Sequence, residues 1–177
     1  MTDMLFFDSD CISAFLWVKG QNLITQLYSK KIVIPKQSYN EISAVPHLKK
    51  AINTMVVNED AIIYDMLTDT AEYQLYVDLI TGAEGHKAIG DGEAACIALA
   101  KEKNGIIASN NLKDIDYWVS SFSLNHITTG GILVEAYEKG MITENEGNKI
   151  WADMLNKRRK IGANSFSEYL EKVKSST

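Results

Sequence analysis

Short apolar runs, each followed by polar or turn-forming residues, recur along the chain and restrict the folds it can adopt. They occupy residues 4–7, 32–35, 105–109 and 124–127. Each run is too short for a helix and is typical of a buried strand. A further short edge strand is predicted at residues 55–57. Since segments with helical periodicity separate these runs, the pattern predicts an α/β fold.

The size and composition of the chain fit a single domain. The chain has 177 residues, of which 46% are hydrophobic, enough for one well-buried core. We expect one domain over residues 1–177, with an α/β core over 1–128 and a helical extension over 129–177. The apolar runs are far shorter than the roughly 20 residues that cross a bilayer, and the first residues lack the order of a signal peptide. These features predict a cytoplasmic protein without a membrane segment.

Acidic residues follow the first two predicted strands. Asp8 comes directly after the first, and Glu41 lies in a short helix that begins where the second ends. In an open parallel α/β sheet, functional groups gather outside the carboxyl ends of the strands. Alternatively, Asp8, Ser9 or Asp10 caps the next helix. Because Glu41 and Glu93 are both predicted on the same edge, we favour Asp8 as the functional acid and Asp10 as the cap.

More oxygen-bearing side chains are predicted at this edge. Asp91 and Glu93 precede a helix, residues 94–100, that is apolar on nearly every side and is therefore expected to be buried. Asn111 and Asp114 follow the strand at residues 105–109. Carboxylates converging on one edge suit hard cations such as Mg²⁺ or Mn²⁺, and such ions activate water for attack on a phosphodiester.

In its order of segments the chain resembles the PIN domain family, and within it the prokaryotic branch related to VapC-type toxin ribonucleases. The matching segments are residues 5–8, 33–35 followed by Glu41, 90–100, 106–111 and 129–143. The resemblance implies a three-layer α/β/α fold with a central parallel sheet and additional C-terminal helices. It also implies an Mg²⁺- or Mn²⁺-dependent endoribonuclease that cleaves RNA, with a small antitoxin as protein partner and a homodimeric state.

The resemblance also assigns roles to individual residues. The catalytic acids would be Asp8, Glu41 and Glu93. Asp91 and Asp114 would join these three as metal ligands, and supporting positions would be Ser9, Ser109, Asn110 and Asn111. The chain departs from the family at the fourth acid, whose position falls on Asn110 or Asn111.

The asparagines leave two functions open. An asparagine oxygen can coordinate a cation, but losing a formal charge weakens cation binding. Either the site works with weaker metal affinity, or catalysis is lost and the fold binds RNA or a protein partner. We favour the nuclease, because the three carboxylates Asp8, Glu41 and Glu93 remain.

The charge of the chain is a weak guide to its substrate. A net charge of -5 argues against a protein that coats nucleic acid through a basic surface, but a nuclease whose carboxylates hold cations remains compatible with it. The one dense basic run is residues 157–160. It would either contact an RNA backbone or stabilise a helix C-terminus, and we favour the second interpretation.

Overall fold

The computed structural model describes residues 3–176, so Met1, Thr2 and Thr177 of the predicted domain lie outside the described residues. Five strands form one parallel sheet in the order β3-β2-β1-β4-β5. The strands are β1 Leu5–Phe7, β2 Ile32–Pro35, β3 Ala61–Tyr64, β4 Ile106–Ala108 and β5 Asn125–Ile127. The central strand, β1, lies between β2 and β4, with Leu5 in register with Ile32 and Ile106.

Helices connect the strands and continue after the last one. In chain order they are α1 Ser9–Trp17, α2 Gln21–Leu27, α3 Lys36–Ile42, α4 Pro46–Val57, α5 Ala71–Thr81, α6 Asp91–Lys103, α7 Leu112–Ser121, α8 Thr129–Glu138, α9 Glu144–Asn156 and α10 Phe166–Ser175. A single 3-10 turn, Ala83–Gly85, lies between α5 and α6. Among the described residues, no helix combines the length and apolar character needed to cross a membrane.

Alternating side chains of the strands divide the hydrophobic core into two layers. Leu5 and Phe7 of β1 pack into a layer with α1, α2 and α4, whereas Phe6 packs into the opposite layer with α5, α6 and α7. Helix α6 is buried at every position from Ala94 to Ala100, as its continuous apolar sequence predicts. The predicted three-layer α/β/α fold with a central parallel sheet is therefore confirmed.

The three C-terminal helices are integrated into one of these layers. Ile132 of α8, Trp151 of α9 and Phe166 of α10 are each fully buried in the core that also holds Leu5 and Phe7. The indole N–H of Trp151 donates to the carbonyl of Ala163 at 3.0 Å, which fixes the connection between α9 and α10.

The strand predicted at residues 55–57 is wrong. These residues form the last turn of α4, and the edge strand is β3, a few residues later. Met55 continues the buried helical spacing of Leu48 and Ile52, whereas Val57 is 81% exposed. A three-residue apolar run is compatible with both periodicities, and here the longer helical pattern decides the structure.

Candidate active site

A cleft of about 470 Å³ lies at the carboxyl ends of the central strands. Its acidic lining residues are Asp8, Asp10, Glu41 and Glu93. The remaining lining residues are Ser9, Gly90, Gly92, Asn110, Asn111 and Lys160. The fold thus brings together the three predicted catalytic acids, although more than eighty residues separate Asp8 from Glu93 in the sequence.

Asp8 is held rigidly between β1 and α1. Its backbone N–H donates to the carbonyl of Ala108 at 2.9 Å, which extends the pairing of β1 with β4 by one residue. Its side chain is the N-cap of α1 and accepts the N–H of Ser9 at 2.7 Å. The hydroxyls of Ser38 and Ser109 donate to its two carboxylate oxygens at 3.5 and 3.4 Å. The Asp8 carboxylate therefore has a defined orientation before any ligand arrives.

The electrostatics of the cleft disfavour negative charge on Asp8. Burial, with 4% of the residue exposed, raises the pKa of Asp8 well above its usual value, and the charges of Asp10, Glu93 and Glu41 raise this pKa further. The N–H of Ser9 acts in the opposite direction. A bound cation would relieve this repulsion, because it stabilises the ionised form of each neighbouring carboxylate.

Asp10 lines the cleft, and the prediction that it is the helix cap is wrong. Asp8 caps α1, whereas Asp10 lies in the first turn and accepts the backbone N–H of Asn110 at 3.4 Å. Burial raises the pKa of Asp10, and the N–H of Asn110 partly offsets the increase. The sequence contained the signal, two aspartates flanking one serine, but it could not show that one carboxylate serves as both cap and cleft residue.

Glu41 and Glu93 reach the cleft from two different helices. Helix α3 begins directly after Pro35, so its last turn brings the exposed Glu41 back over the strand ends, where Glu41 accepts the hydroxyl of Ser9 at 2.5 Å. Glu93 lies in the first turn of α6, where one of its oxygens accepts the N–H of Gly90 at 3.1 Å. Like Asp8, Glu93 thus combines a capping role with a position in the cleft.

Asp91 and Asp114, the two further predicted ligands, are not among the residues that line the cleft. Asp91 is exposed and accepts the hydroxyl of Tyr76 at 3.3 Å. Asp114 lies 3.6 Å from the ammonium of Lys87. A hydrogen bond from Asn111, followed by the charge of Lys87, lowers the pKa of Asp114. The helical spacing places Asp91 two residues before Glu93, and therefore on a different side of α6.

The two asparagines have distinct environments. Both amide atoms of Asn110 contact Thr129, whose N–H donates to Oδ1 at 2.8 Å and whose hydroxyl accepts from Nδ2 at 2.9 Å. Asn111 instead donates its amide to Glu93 at 2.5 Å and to Asp114 at 2.8 Å. The side chain of Asn111 is therefore the one that contacts the acidic cluster, whereas Asn110 contributes its backbone N–H to Asp10 and its side chain joins the end of β4 to the start of α8.

The cleft residues fit a hard divalent cation by their chemistry. Their charged donors are four carboxylates, and oxygen ligands of this kind suit Mg²⁺ and Mn²⁺. Gly92 leaves space between two of them, since a Cβ atom at this position would lie 2.5 Å from Asp8 Oδ1 and 3.3 Å from Glu41 Oε1. Among the side chains that the structure describes, no three acidic, histidine or cysteine residues are arranged as a complete metal-binding group.

Adding Mn²⁺ should raise the melting temperature, and the increase should be larger at pH 8 than at pH 5. Because the pKa of Asp8 is raised on folding, its protonated form stabilises the metal-free protein at low pH, and this contribution is lost as the pH rises through the folded-state pKa. The cation replaces the proton at high pH, and at one hundred times its Kd it adds about 2.7 kcal/mol. For a chain of this length that amounts to roughly 5–10 °C. Differential scanning calorimetry in Mn²⁺ and in EDTA measures the effect, and an equal increase at both pH values would contradict it.

Comparison with known proteins identifies the family. The family model described as DUF3368: PIN domain matches residues 4–175. A search of curated proteins finds no match. Among solved structures, the chain is similar to one in the 2.2 Å structure of VapBC-1 from nontypeable Haemophilus influenzae, with 14% sequence identity and a TM-score of 0.48. That similarity covers 71% of this chain and 98% of the other. The family model spans nearly the whole chain and confirms the resemblance to PIN domains found in the sequence, so this protein belongs to the PIN domain family.

Proposed function

We propose that this protein is a metal-dependent endoribonuclease that hydrolyses phosphodiester bonds of RNA in its acidic cleft. PIN domains are generally nucleases, so membership of this family supports nuclease activity in general. The observation that supports metal dependence is the convergence of four carboxylates on one cleft, those of Asp8, Asp10, Glu41 and Glu93. Of these, Asp8 is buried and its pKa is raised. A site of this kind favours bound cations over uncompensated carboxylates.

In this proposal Asp8, Glu41 and Glu93 hold Mg²⁺ or Mn²⁺, with Asp10 as a further ligand. The chemistry that such an ion supplies is activation of water and neutralisation of the charge that develops at the phosphodiester. The chain itself fixes the ligands. Asp8 is oriented by Ser9, Ser38 and Ser109, whereas Glu93 is oriented by Gly90 and Asn111. Such orientation in advance reduces the reorganisation needed when substrate binds.

The test is cleavage of a mixed single-stranded RNA pool by the purified protein in EDTA, Mg²⁺ and Mn²⁺. We expect cleavage only with a divalent ion, and Mn²⁺ binding detectable by calorimetry. Absence of both cleavage and Mn²⁺ binding would refute the nuclease proposal.

We further propose, from the resemblance of residues 129–143, that the nuclease is a cytoplasmic toxin controlled by a small antitoxin. An antitoxin encoded beside it should bind at the acidic cleft and block cleavage. The same resemblance leads us to expect a homodimer, which sedimentation analysis would measure. A protein that is harmless when overproduced without any partner would count against the toxin role.

The alternative function is that of a PIN-fold protein that binds RNA or a protein partner without cleavage. The observation that favours it is Asn111, whose amide occupies a Glu93 oxygen that would otherwise be available to a cation. A neutral side chain at this place also leaves one formal charge fewer in the cluster than an aspartate would provide.

The Asn111→Asp variant separates these functions. The change removes the hydrogen bonds to Glu93 and Asp114 and adds a third carboxylate beside them, so the melting temperature of the metal-free protein should fall. We expect Mn²⁺ affinity and cleavage to rise by about tenfold, the lower end of the effects known for residues that adjust metal ligands. The matched control is Asn110→Asp, which should lower stability without this gain, because Asn110 contacts Thr129. If wild type and Asn111→Asp both bind RNA and neither cleaves it, the binding function is the correct one.

A further inference from the structure

The basic segment, residues 157–160, is held in a fixed position beside the acidic cleft. Helix α9 ends at Asn156, and Arg158 has a left-handed backbone with φ of 58°. This conformation reverses the chain, and the N–H of Arg159 donates back to the carbonyl of Met154 at 3.0 Å. Ile161 then enters the core with 5% of its surface exposed. The segment is thus anchored at both ends, while its cationic side chains stay outside the hydrophobic core.

Lys160 is the one cation among the described residues that lines the acidic cleft. It is exposed, and its ammonium forms no ion pair with any carboxylate whose position the structure describes. A cation beside four carboxylates without an ion pair is available to an anionic ligand. When divalent ions neutralise the carboxylates, an RNA phosphate becomes the natural counterion for Lys160.

A second depression continues from the cleft and leads to Arg159. This groove has a volume of about 280 Å³ and shares Ser9, Asp10 and Glu41 with the cleft. It follows α1 as far as Trp17, and Arg159 forms part of its wall. The guanidinium of Arg159 lies 5.8 Å from the centroid of the Trp17 ring, which holds it at the groove.

Stabilisation of the C-terminus of α9 accounts for only part of this arrangement. Lys157 caps α9, and a cation there interacts favourably with the last carbonyls. Arg159 and Lys160 lie beyond the end of the helix, in the walls of the groove and the cleft. The Nε–H of Arg159 also donates to the carbonyl of Lys157, the C-cap of α9, at 2.9 Å. The interpretation favoured from sequence therefore suits Lys157 and the Nε of Arg159, and it leaves Lys160 and the outer nitrogens of the Arg159 guanidinium to be explained.

We propose, on the basis of the nuclease function above, that the cleft and the groove form one path for single-stranded RNA. In this path Lys160 binds the phosphate at the acidic cluster and Arg159 binds the next phosphate along α1. Single-stranded RNA is the substrate class because Asp8 lies at the bottom of the cleft with 4% exposure. A flexible single strand can bring one phosphate into the cleft close to Asp8, whereas a rigid duplex cannot.

The test is RNA binding by the Arg159→Gln/Lys160→Gln double variant. A fluorescein-labelled single-stranded RNA of mixed sequence is titrated with full-length protein in Ca²⁺, and fluorescence anisotropy is recorded at several salt concentrations. We expect binding at least tenfold weaker than for wild type. The slope of log K against log salt should also fall by about 1.4, since each lost contact to a single-strand phosphate contributes about 0.7.

The matched control is Lys149→Gln/Lys174→Gln, which removes the same charge from two exposed lysines that line neither the cleft nor the groove. It should bind RNA within twofold of wild type, and both double variants should retain Mn²⁺ affinity. The inference is overturned if wild type does not bind RNA, if both double variants weaken binding equally, or if duplex RNA binds as tightly as single strands. RNA binding through Arg159 and Lys160 without cleavage would refute only the nuclease proposal. Cleavage by wild type together with unchanged RNA binding by Arg159→Gln/Lys160→Gln would refute only this path.

Discussion

Replacing Asp8 with asparagine should reduce divalent-ion-dependent RNA cleavage by about 100-fold or more. The change removes a formal charge from the most buried carboxylate of the cleft. A catalytic metal supplies several kcal/mol of charge stabilisation, and loss of about 3 kcal/mol corresponds to roughly 100-fold in rate. Cleavage of the RNA pool at saturating Mn²⁺ measures the rate, and calorimetry should show weaker Mn²⁺ binding by the variant.

The same substitution should leave the metal-free protein as stable as wild type, or more stable, at pH 8. Asparagine is as effective an N-cap as aspartate, so the bond from the Ser9 N–H is retained. The raised pKa of Asp8 means that its ionised form destabilises the fold above that pKa, and asparagine cannot ionise. The stability advantage of the variant should therefore shrink towards pH 4. Activity and stability then change in opposite directions, as expected for a functional residue.

The control for this experiment is Asp116→Asn, which alters an exposed aspartate of α7 that does not line the cleft. Its cleavage rate, Mn²⁺ affinity and melting temperature should match those of wild type. Full activity of Asp8→Asn, or a loss of activity equal to that of the control, would contradict the assignment of Asp8.

The pattern of strands and helices in the sequence was sufficient to predict that three acidic residues lie at one edge of the sheet. Asp8 and Glu41 could be placed because the carboxyl ends of parallel strands share one edge, and Glu93 because its helix is apolar on every side. The prediction was wrong where two elements compete for the same residues. The run 55–57 belongs to α4 because its periodicity continues from Leu48, a pattern longer than the run itself.

Other parts of the site depend on contacts between distant segments and had no local signal. Only the packing of α8 on the end of β4 shows that Asn110 contacts Thr129 and that Asn111 remains beside Glu93. Lys160 reaches the cleft because α9 and α10 pack against the layer that contains α1. Sequence spacing does not encode such contacts, so the basic segment could be identified but not positioned.

The N-termini of α1 and α6 both lie at the cleft, and they help to stabilise the negative charge of its four carboxylates. Asp8 caps α1, and Glu93 accepts the N–H of Gly90 at the start of α6. The positive ends of the helix dipoles stabilise carboxylates at these places. This stabilisation opposes the mutual repulsion of the acids but does not abolish it, since the pKa of Asp8 remains raised. The remaining repulsion is the free energy that a bound cation would recover.

Replacing Gly92 with alanine should weaken Mn²⁺ binding and cleavage by at least about tenfold, with little loss of stability. The new Cβ atom would lie 2.5 Å from Asp8 Oδ1 and 3.1 Å from Ser38 Oγ, so the carboxylate would have to move from its oriented position. Mutation of a residue that orients a metal ligand typically reduces metal affinity by about 10-fold to 100-fold, and displacement of the ligand should cost at least as much. Alanine is favoured over glycine in a helix by about 1 kcal/mol, which offsets part of the steric cost to folding.

The matched control is the same substitution at Gly147 of α9, where the new Cβ atom would collide with the buried ring of Phe166. Overpacking of a core typically costs about 1–3 kcal/mol, so Gly147→Ala should unfold at a lower temperature while retaining Mn²⁺ affinity. The two variants are therefore expected to differ. Gly92→Ala should lose Mn²⁺ affinity, whereas Gly147→Ala should lose stability. Wild-type Mn²⁺ affinity in Gly92→Ala would show that the space between Asp8 and Glu41 is not where the cation binds.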